Sequence, residues 1–168
     1  MFIGDKTEYW NPLLTSVIKG FLNNNVFFYP SKIIYEVNRV FNVLFNILVK
    51  KNTVIWIVDP KSIYKEAINS HHKELDELNI FYITESLPYG FIDNKQCLNF
   101  HKIPDPNIVF FTNIAPGDFL LKGLKKRGIL SIGLSAGYVE GLDYPIYGNN
   151  NNGEFALLIL SLFLIIRE

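Results

Sequence analysis

Cysteine is nearly absent from this chain: Cys97 stands alone, which excludes an internal disulfide framework. Histidine is scarce as well. His71, His72 and His101 offer no spacing that would hold a metal, so no metal or other cofactor is expected. Net charge is missing too, with 16 lysines and arginines against 16 acidic residues. That balance argues against a protein that holds RNA by bulk charge, and any nucleic-acid case has to rest on local clusters. The chain has no GxGxxG after its early strands, no GxxxxGK[ST] and no GxSxG, so neither a phosphate loop nor a nucleophile elbow is present. The opening residues, MFIGDKTEYW, include Asp5 and Glu8 and lack the pattern of a secretory signal or a transit peptide. The apolar run at 155–166 is about half to two-thirds of what a bilayer span needs. Bracketed by Glu154 and Arg167, it reads as a buried core helix, and no membrane partner is expected.

What the chain does have is apolar substance. Hydrophobic residues make up 49% of its 168 residues and aromatics 15%, enough for one folded domain over 1–168, with an N-terminal extension over roughly the first 25 positions. Residues 26–29 form an apolar strand, and Pro30 with Ser31 opens a helix in which Ile34, Val37, Phe41, Leu44, Phe45 and Leu48 recur at helical spacing. Lys50 and Lys51 close that helix at the negative end of its dipole. The β-branched and aromatic run TVIWIV at 53–58 is a strand apolar on both faces, and Asp59-Pro60 starts a polar helix reaching to 78. Strands at 80–83, 107–112 and 129–134 follow, the last two separated by a helix at 118–127. After 134 the chain is expected to leave the sheet edge through an exposed loop, Ser135-Ala136-Gly137. Pro145 has no N–H to give a central ladder, which assigns 143–147 to an edge or the surface. Gly148 then permits a turn, and Asn149 to Asn152 offer caps for the last helix.

Strands alternating with helices imply right-handed crossovers. The fold class is therefore α/β, doubly wound: a flavodoxin-like three-layer sandwich with a mainly parallel five-stranded sheet built from 26–29, 53–58, 80–83, 107–112 and 129–134. In such a fold, ligands gather at the carboxyl ends of the strands, near a switch in strand order. Those ends carry Asp59-Pro60, Thr84-Glu85, Asn113-Ile114 and Ser135-Ala136-Gly137. Asp59 is more readily a helix cap than a general base, and Asp143, without a second carboxylate nearby, more readily fixes a turn than holds a cation. His71 and His72 lie beside Lys73 and Glu74 on a solvated helix face, and His101 is isolated. Lys122, Lys125, Lys126 and Arg127 form the only dense positive cluster. On a helix end they complement the dipole; together with the asparagine run and Trp10 they could instead make a phosphate-contacting edge.

The order of short motifs along the chain adds a resemblance. Trp10-Asn11-Pro12, Ile18-x-Gly20 and Asn24-Asn25 resemble the WNP…YI.G.RN opening of the small-subunit ribosomal protein S2 family. TVIWIVDPK at 53–61 is similar to that family's ILFVGTK strand, GFIDN at 90–94 to its GTLTN element, and 104–111 to its PDLVVV strand. Residues 128–134 look like its lGIPVIAL strand, and DYPIYGNNN at 143–151 resembles the DYPIPGNDD loop before its last helix. The motifs occur in family order across almost the whole chain. Two departures stand out. Asp-Thr-Asn after the fifth strand is replaced by Ser135-Ala136-Gly137, and Asn-Asp-Asp before the last helix by Asn149-Asn150-Asn151, which puts in doubt any ion or polar contact there. Between Asn94 and Pro104 only a short loop stands where the bacterial family carries a long helical hairpin.

The resemblance implies a non-catalytic constituent of the small ribosomal subunit near the head/body junction, touching rRNA and neighbouring ribosomal proteins and forming no homo-oligomer. Its contact candidates are Trp10, Asn11 and Asn25, then Gly90 and Asn94, then Gly148, Asn149 and Asn150. Lys95 and the Lys122, Lys125, Lys126, Arg127 cluster join them from local charge alone. Compact length, the missing hairpin and a bias toward Ile, Phe, Asn and Lys suit an organellar ribosome, the mitochondrial one first and the plastid as the alternative. An organelle-borne gene would account for the lack of a transit peptide. The competing expectation, from a different class, is a small-molecule or nucleotide-binding protein or enzyme on the same flavodoxin-like architecture.

Overall fold

The computed structural model describes residues 3–6, 11–48, 53–59, 79–84, 103–114 and 118–149, with isolated positions at 65, 75, 77, 87, 90–92, 94 and 161. The expected helices at 60–78 and 153–166 and the closing lysines Lys50 and Lys51 fall almost wholly outside the described residues, as do Trp10, Lys95 and Asn150.

Among the described residues, eight strands and two α-helices are defined. β1 (Ile3–Lys6), β2 (Ile18–Leu22) and β3 (Asn25–Phe28) precede α1 (Pro30–Leu48). β4 (Ile55–Val58), β5 (Ile80–Ile83) and β6 (Ile108–Phe111) follow, then α2 (Phe119–Arg127), β7 (Leu130–Ser135) and β8 (Tyr144–Tyr147). β4 to β8 make one sheet in the order β5-β4-β6-β7-β8, every neighbouring pair parallel. The fold is α/β, doubly wound and flavodoxin-like, and the strand order reverses between β4 and β6.

The two faces of this sheet are covered differently. On one, Ile55, Ile57, Ile108, Phe110, Ile132 and Leu134 pack with Ile33, Val40 and Leu44 of α1. On the other, Trp56, Val58, Val109 and Phe111 pack with Leu121 and Leu124 of α2 and with Phe91 and Ile92. Adjacent residues of β4 and β6 thus enter opposite cores, which is why these strands read as continuous apolar runs. α2 is delimited by local chemistry: the Asp118 carboxylate accepts from Leu120 N at 2.9 Å, and Gly128 closes the helix at φ 66°.

Three expectations are corrected. The strand at 26–29 is not in the parallel sheet; β3 is the middle of a separate antiparallel sheet ordered β1-β3-β2. Asn23 and Asn24, at φ 48° and 62°, turn β2 into β3, and positive φ at both central residues is the hairpin turn that suits strand twist. An apolar run signals a strand without naming its partner, and here the adjacent hairpin captured it. The fifth parallel strand is instead β8, with Pro145 on the sheet edge opposite Gly133.

The second correction concerns α1. Its buried stripe is Ile33, Val40 and Leu44, while Ile34 and Phe45 are exposed. Val37 and Ile47 pack beside that stripe, and Arg39 and Glu36 lie along its border with β8. Arg39 sits 5.0 Å above the Tyr144 ring of β8 and pairs with Glu36 at 2.7 Å, an ion contact whose Glu36 Oε2 lacks a directed hydrogen bond. That seam joins α1 to the sheet edge at β8.

Third, Ser135-Ala136-Gly137 is buried, and β7 is an inner strand. Parallel strands normally need a longer crossover, usually a helix. Residues 136–143 make the return with no helix. Val139 and Leu142 lie against the α2-side core, over the small face of β7 made by Ser131, Gly133 and Ser135. A Cβ on Gly133 would come within 3.2 Å of Phe111 Cβ and 3.4 Å of Leu142. The missing side chain is the space the crossover occupies.

Candidate functional site

The switch point is where a doubly wound fold would hold a small ligand. It contains Asp59, which follows β4 and is fully buried. Its carboxylate accepts from Tyr82 Oη at 2.7 Å and from Thr112 Oγ1 at 2.9 Å, tying the carboxyl ends of β4, β5 and β6 together. Thr112 Oγ1 also lies 3.2 Å from the Val58 carbonyl. A buried carboxylate is tolerable when hydroxyls satisfy it, and these do. The cap role expected for Asp59 concerns residues outside those described. Among the described residues, no group of three or more His, Cys, Asp or Glu side chains could hold a metal, and no helix is long and apolar enough to cross a membrane.

The carboxyl ends of β7 and β8 are covered by the N-terminal sheet. Phe28 of β3 stacks on Tyr147 of β8 at 5.7 Å between centroids. Gly4 of β1 approaches so closely that a Cβ there would stand 2.6 Å from the Ala136 carbonyl oxygen. Ser135 Oγ donates to the Gly137 carbonyl at 2.6 Å, so the hydroxyl serves its own turn. Gly148 N donates to the Ser135 carbonyl at 3.0 Å, extending the β7–β8 pairing by one step. Burial pushes the Tyr147 hydroxyl up to about 12; Glu36 and Tyr138 add to the rise and Arg39 opposes it.

Asn11 and Asn25 serve the N-terminal segment itself. The Asn11 side chain caps the short 3₁₀ turn Pro12–Leu14 by accepting from Leu13 N at 2.9 Å. Leu14 and Ile18 then carry the segment into the α1-side core. Asn25 begins β3 between Lys6 and Leu22. Asn149 follows β8 directly and is half-buried. The N-terminal sheet and the ends of β7 and β8 meet here.

The remaining candidates lie elsewhere. α2 runs back from the carboxyl end of β6 to the start of β7, so Lys125, Lys126 and Arg127 lie at the amino ends of the strands. Asn149, just past β8, lies at the other end. Asn149, the described member of the asparagine run, therefore does not share an end of the sheet with Lys125, Lys126 and Arg127, while Trp10 and the rest of the run lie outside the described residues. Gly90, at φ 75°, accepts from Asn94 N at 3.1 Å in an exposed turn. Arg127 reaches that turn, donating to the Ile92 carbonyl at 2.8 Å while pairing with Asp105 at 2.8 Å. The structure thus brings Gly90, Asn94 and Arg127 together, with Arg127 spent on the contact. Lys122, Lys125 and Lys126 face solvent.

Sequence reasoning missed Gly4, Tyr147 and Phe119. Only Phe119 left a signal, an aromatic one position after the helix cap with nothing apolar three or four residues on.

No protein-family model and no curated protein matches the sequence.

Proposed function

We propose that the chain is a constituent of an organellar small ribosomal subunit, in the manner of the ribosomal protein S2 family. One observation supports this reading above others: β3, which begins where the first of the two motifs most specific to the resemblance ends, packs against β8, which lies within the second. The segment after the first motif stacks on the segment containing the second through Phe28 and Tyr147. Among the described residues, side chains there hold turns and strand ends, which suits a docking surface whose contacts position the domain. Its partners in this reading are small-subunit rRNA and neighbouring ribosomal proteins, and its place is the mitochondrial ribosome. A small-molecule function would call on the polar groups at the switch point, and Asp59, Tyr82 and Thr112 are engaged with one another.

Gradient sedimentation of a cell lysate, with organelles separated first, tests the proposal. The tagged chain is expected in the organellar small-subunit fraction. Recovery only as free protein, or with cytosolic ribosomes, would overturn it.

A further inference from the structure

Lys32 stands in the first turn of α1, the end of a helix dipole that favours acidic side chains, and that turn holds none. Its charge therefore works against the helix. Glu36 is the only acidic residue of α1, and Arg39 takes it at 2.7 Å. Tyr35, one turn beyond Lys32, is 63% exposed, and Tyr29, immediately before the helix, is 42% exposed. Positions 32, 35 and 39 are spaced i, i+3 and i+7, so Lys32 and Tyr35 continue the side of α1 on which Arg39 covers Tyr144. Lys19 adds a second positive charge from β2. It is exposed at the register shift where Ile18 pairs with Phe28, and close by Tyr29 N donates to the Val17 carbonyl at 2.9 Å.

Folding does not account for this group. The buried stripe of α1 is Ile33, Val40 and Leu44, and it uses neither Lys32 nor Tyr35. Among the described residues, Lys19 and Lys32 have no ion pair or side-chain hydrogen bond, and the Tyr29 and Tyr35 rings neither stack on another ring nor lie under a cation. Two open aromatic rings interleaved with two unneutralised lysines make the combination that binds unpaired nucleotides: bases stack on the rings while phosphates meet the ammonium groups. The group also continues the seam between Phe28 and Tyr147, since Tyr29 follows Phe28 directly.

We infer that the start of α1, with the neighbouring stretch of β2, binds a single-stranded RNA segment, Tyr35 and Tyr29 serving as stacking platforms and Lys32 and Lys19 as phosphate contacts. The choice of RNA among polyanions rests on the ribosomal reading, which the inference deepens by naming residues that make the contact.

Fluorescence anisotropy with the full chain and a short labelled polyuridine tests it across a salt series. Wild type is expected to bind with a salt slope that falls by about 0.7 for each lysine contact removed, as single-stranded nucleic acid gives. Lys19→Gln and Lys32→Gln together should lower both affinity and slope. Tyr35→Ala should weaken binding by about 5-fold to 100-fold with the slope unchanged, and Tyr35→Phe, which keeps the ring, should restore it. Lys32→Glu separates binding from folding: an acid suits the first turn of a helix, so Tm should hold or rise while affinity falls. A drop in Tm with that variant would overturn the inference by giving the lysine a structural role. No binding by wild type at low salt, or an affinity indifferent to Tyr35, would overturn it as well. Polyglutamate binding as tightly as polyuridine would do the same, by reducing the group to a patch for any polyanion. A chain that sediments with ribosomes yet fails this assay loses the α1 site alone, and one that passes it without sedimenting loses only the ribosomal assignment.

Discussion

Ser131 and Asp143 are joined by three hydrogen bonds: Asp143 Oδ2 accepts from Ser131 N at 2.9 Å and from Ser131 Oγ at 2.7 Å, and Asp143 N reaches Ser131 Oγ at 3.1 Å. One serine and one aspartate thereby fasten the far end of the return, just before β8, to the start of β7. The crossover has no helix of its own to satisfy its backbone, so its attachment depends on such side chains.

Asp143→Ala should therefore destabilise the fold by about 2–3 kcal/mol, because it strands the buried Ser131 N–H as well as losing a charged acceptor. Urea unfolding measures this. Ser131→Ala removes only the hydroxyl and should cost less, and the double variant should cost less than the sum of the two. Strict additivity would show that the pair does not act as a unit.

Space is the second requirement of the same crossover. Gly133→Ala places a methyl against Phe111 Cβ, part of an inner strand, and against the softer end of Leu142. An overpacking loss of about 1–3 kcal/mol is expected. Leu142→Ala in the same chain should relieve part of it. Gly4→Ala meets a backbone carbonyl at Ala136, which cannot swing aside, so β1 should lift from the sheet end. Faster amide hydrogen exchange over residues 3–6 and 135–137 would report that movement; unchanged exchange would refute it.

Tyr147 makes stability pH-dependent at the alkaline end. Its hydroxyl, ordinarily near 10.0, is raised to about 12 in the folded chain, chiefly by burial. The folded state keeps a proton that the unfolded state has lost, so this contribution is whole below about pH 10 and disappears as pH climbs toward 12. Tyr147→Phe should flatten the fall in Tm across that window. It should also delete one late-titrating tyrosine from the ultraviolet titration, and an unaltered titration curve would contradict the assignment.

At the switch point, Asp59→Asn keeps the shape but gives Tyr82 and Thr112 an amide with one acceptor where there were two. Asp59→Leu removes both acceptors and leaves the two hydroxyls to find others. The leucine variant should be the less stable of the two, by roughly 1–3 kcal/mol. Tyr82→Phe in the Asp59→Leu background should recover part of the loss. Thermal denaturation of the three variants decides the order.

Local pattern determined much of this protein. The apolar runs at 55–58, 80–83 and 108–111 became strands because they are β-branched or aromatic, and 130–135 because its small and aliphatic residues fit between two covered faces. Asp118 and Gly128 set the ends of α2 with chemistry confined to neighbouring residues. Pro145 on an outer strand follows from one missing N–H. Partners were a different matter. Whether 25–28 paired with a hairpin or a parallel strand, which side of α1 was buried, and that 136–143 could cross without a helix depended on contacts between residues far apart in the chain. The candidate site divides the same way. The lysines of α2 and the glycines of the turns are visible as residue types, yet only the tertiary structure placed Asn149 away from Lys125, tied Arg127 to Asp105, and left Phe119 facing water beside Lys122. The physical reason is that propensity and capping act over a few residues, whereas strand order and surface composition are settled by which apolar faces find each other.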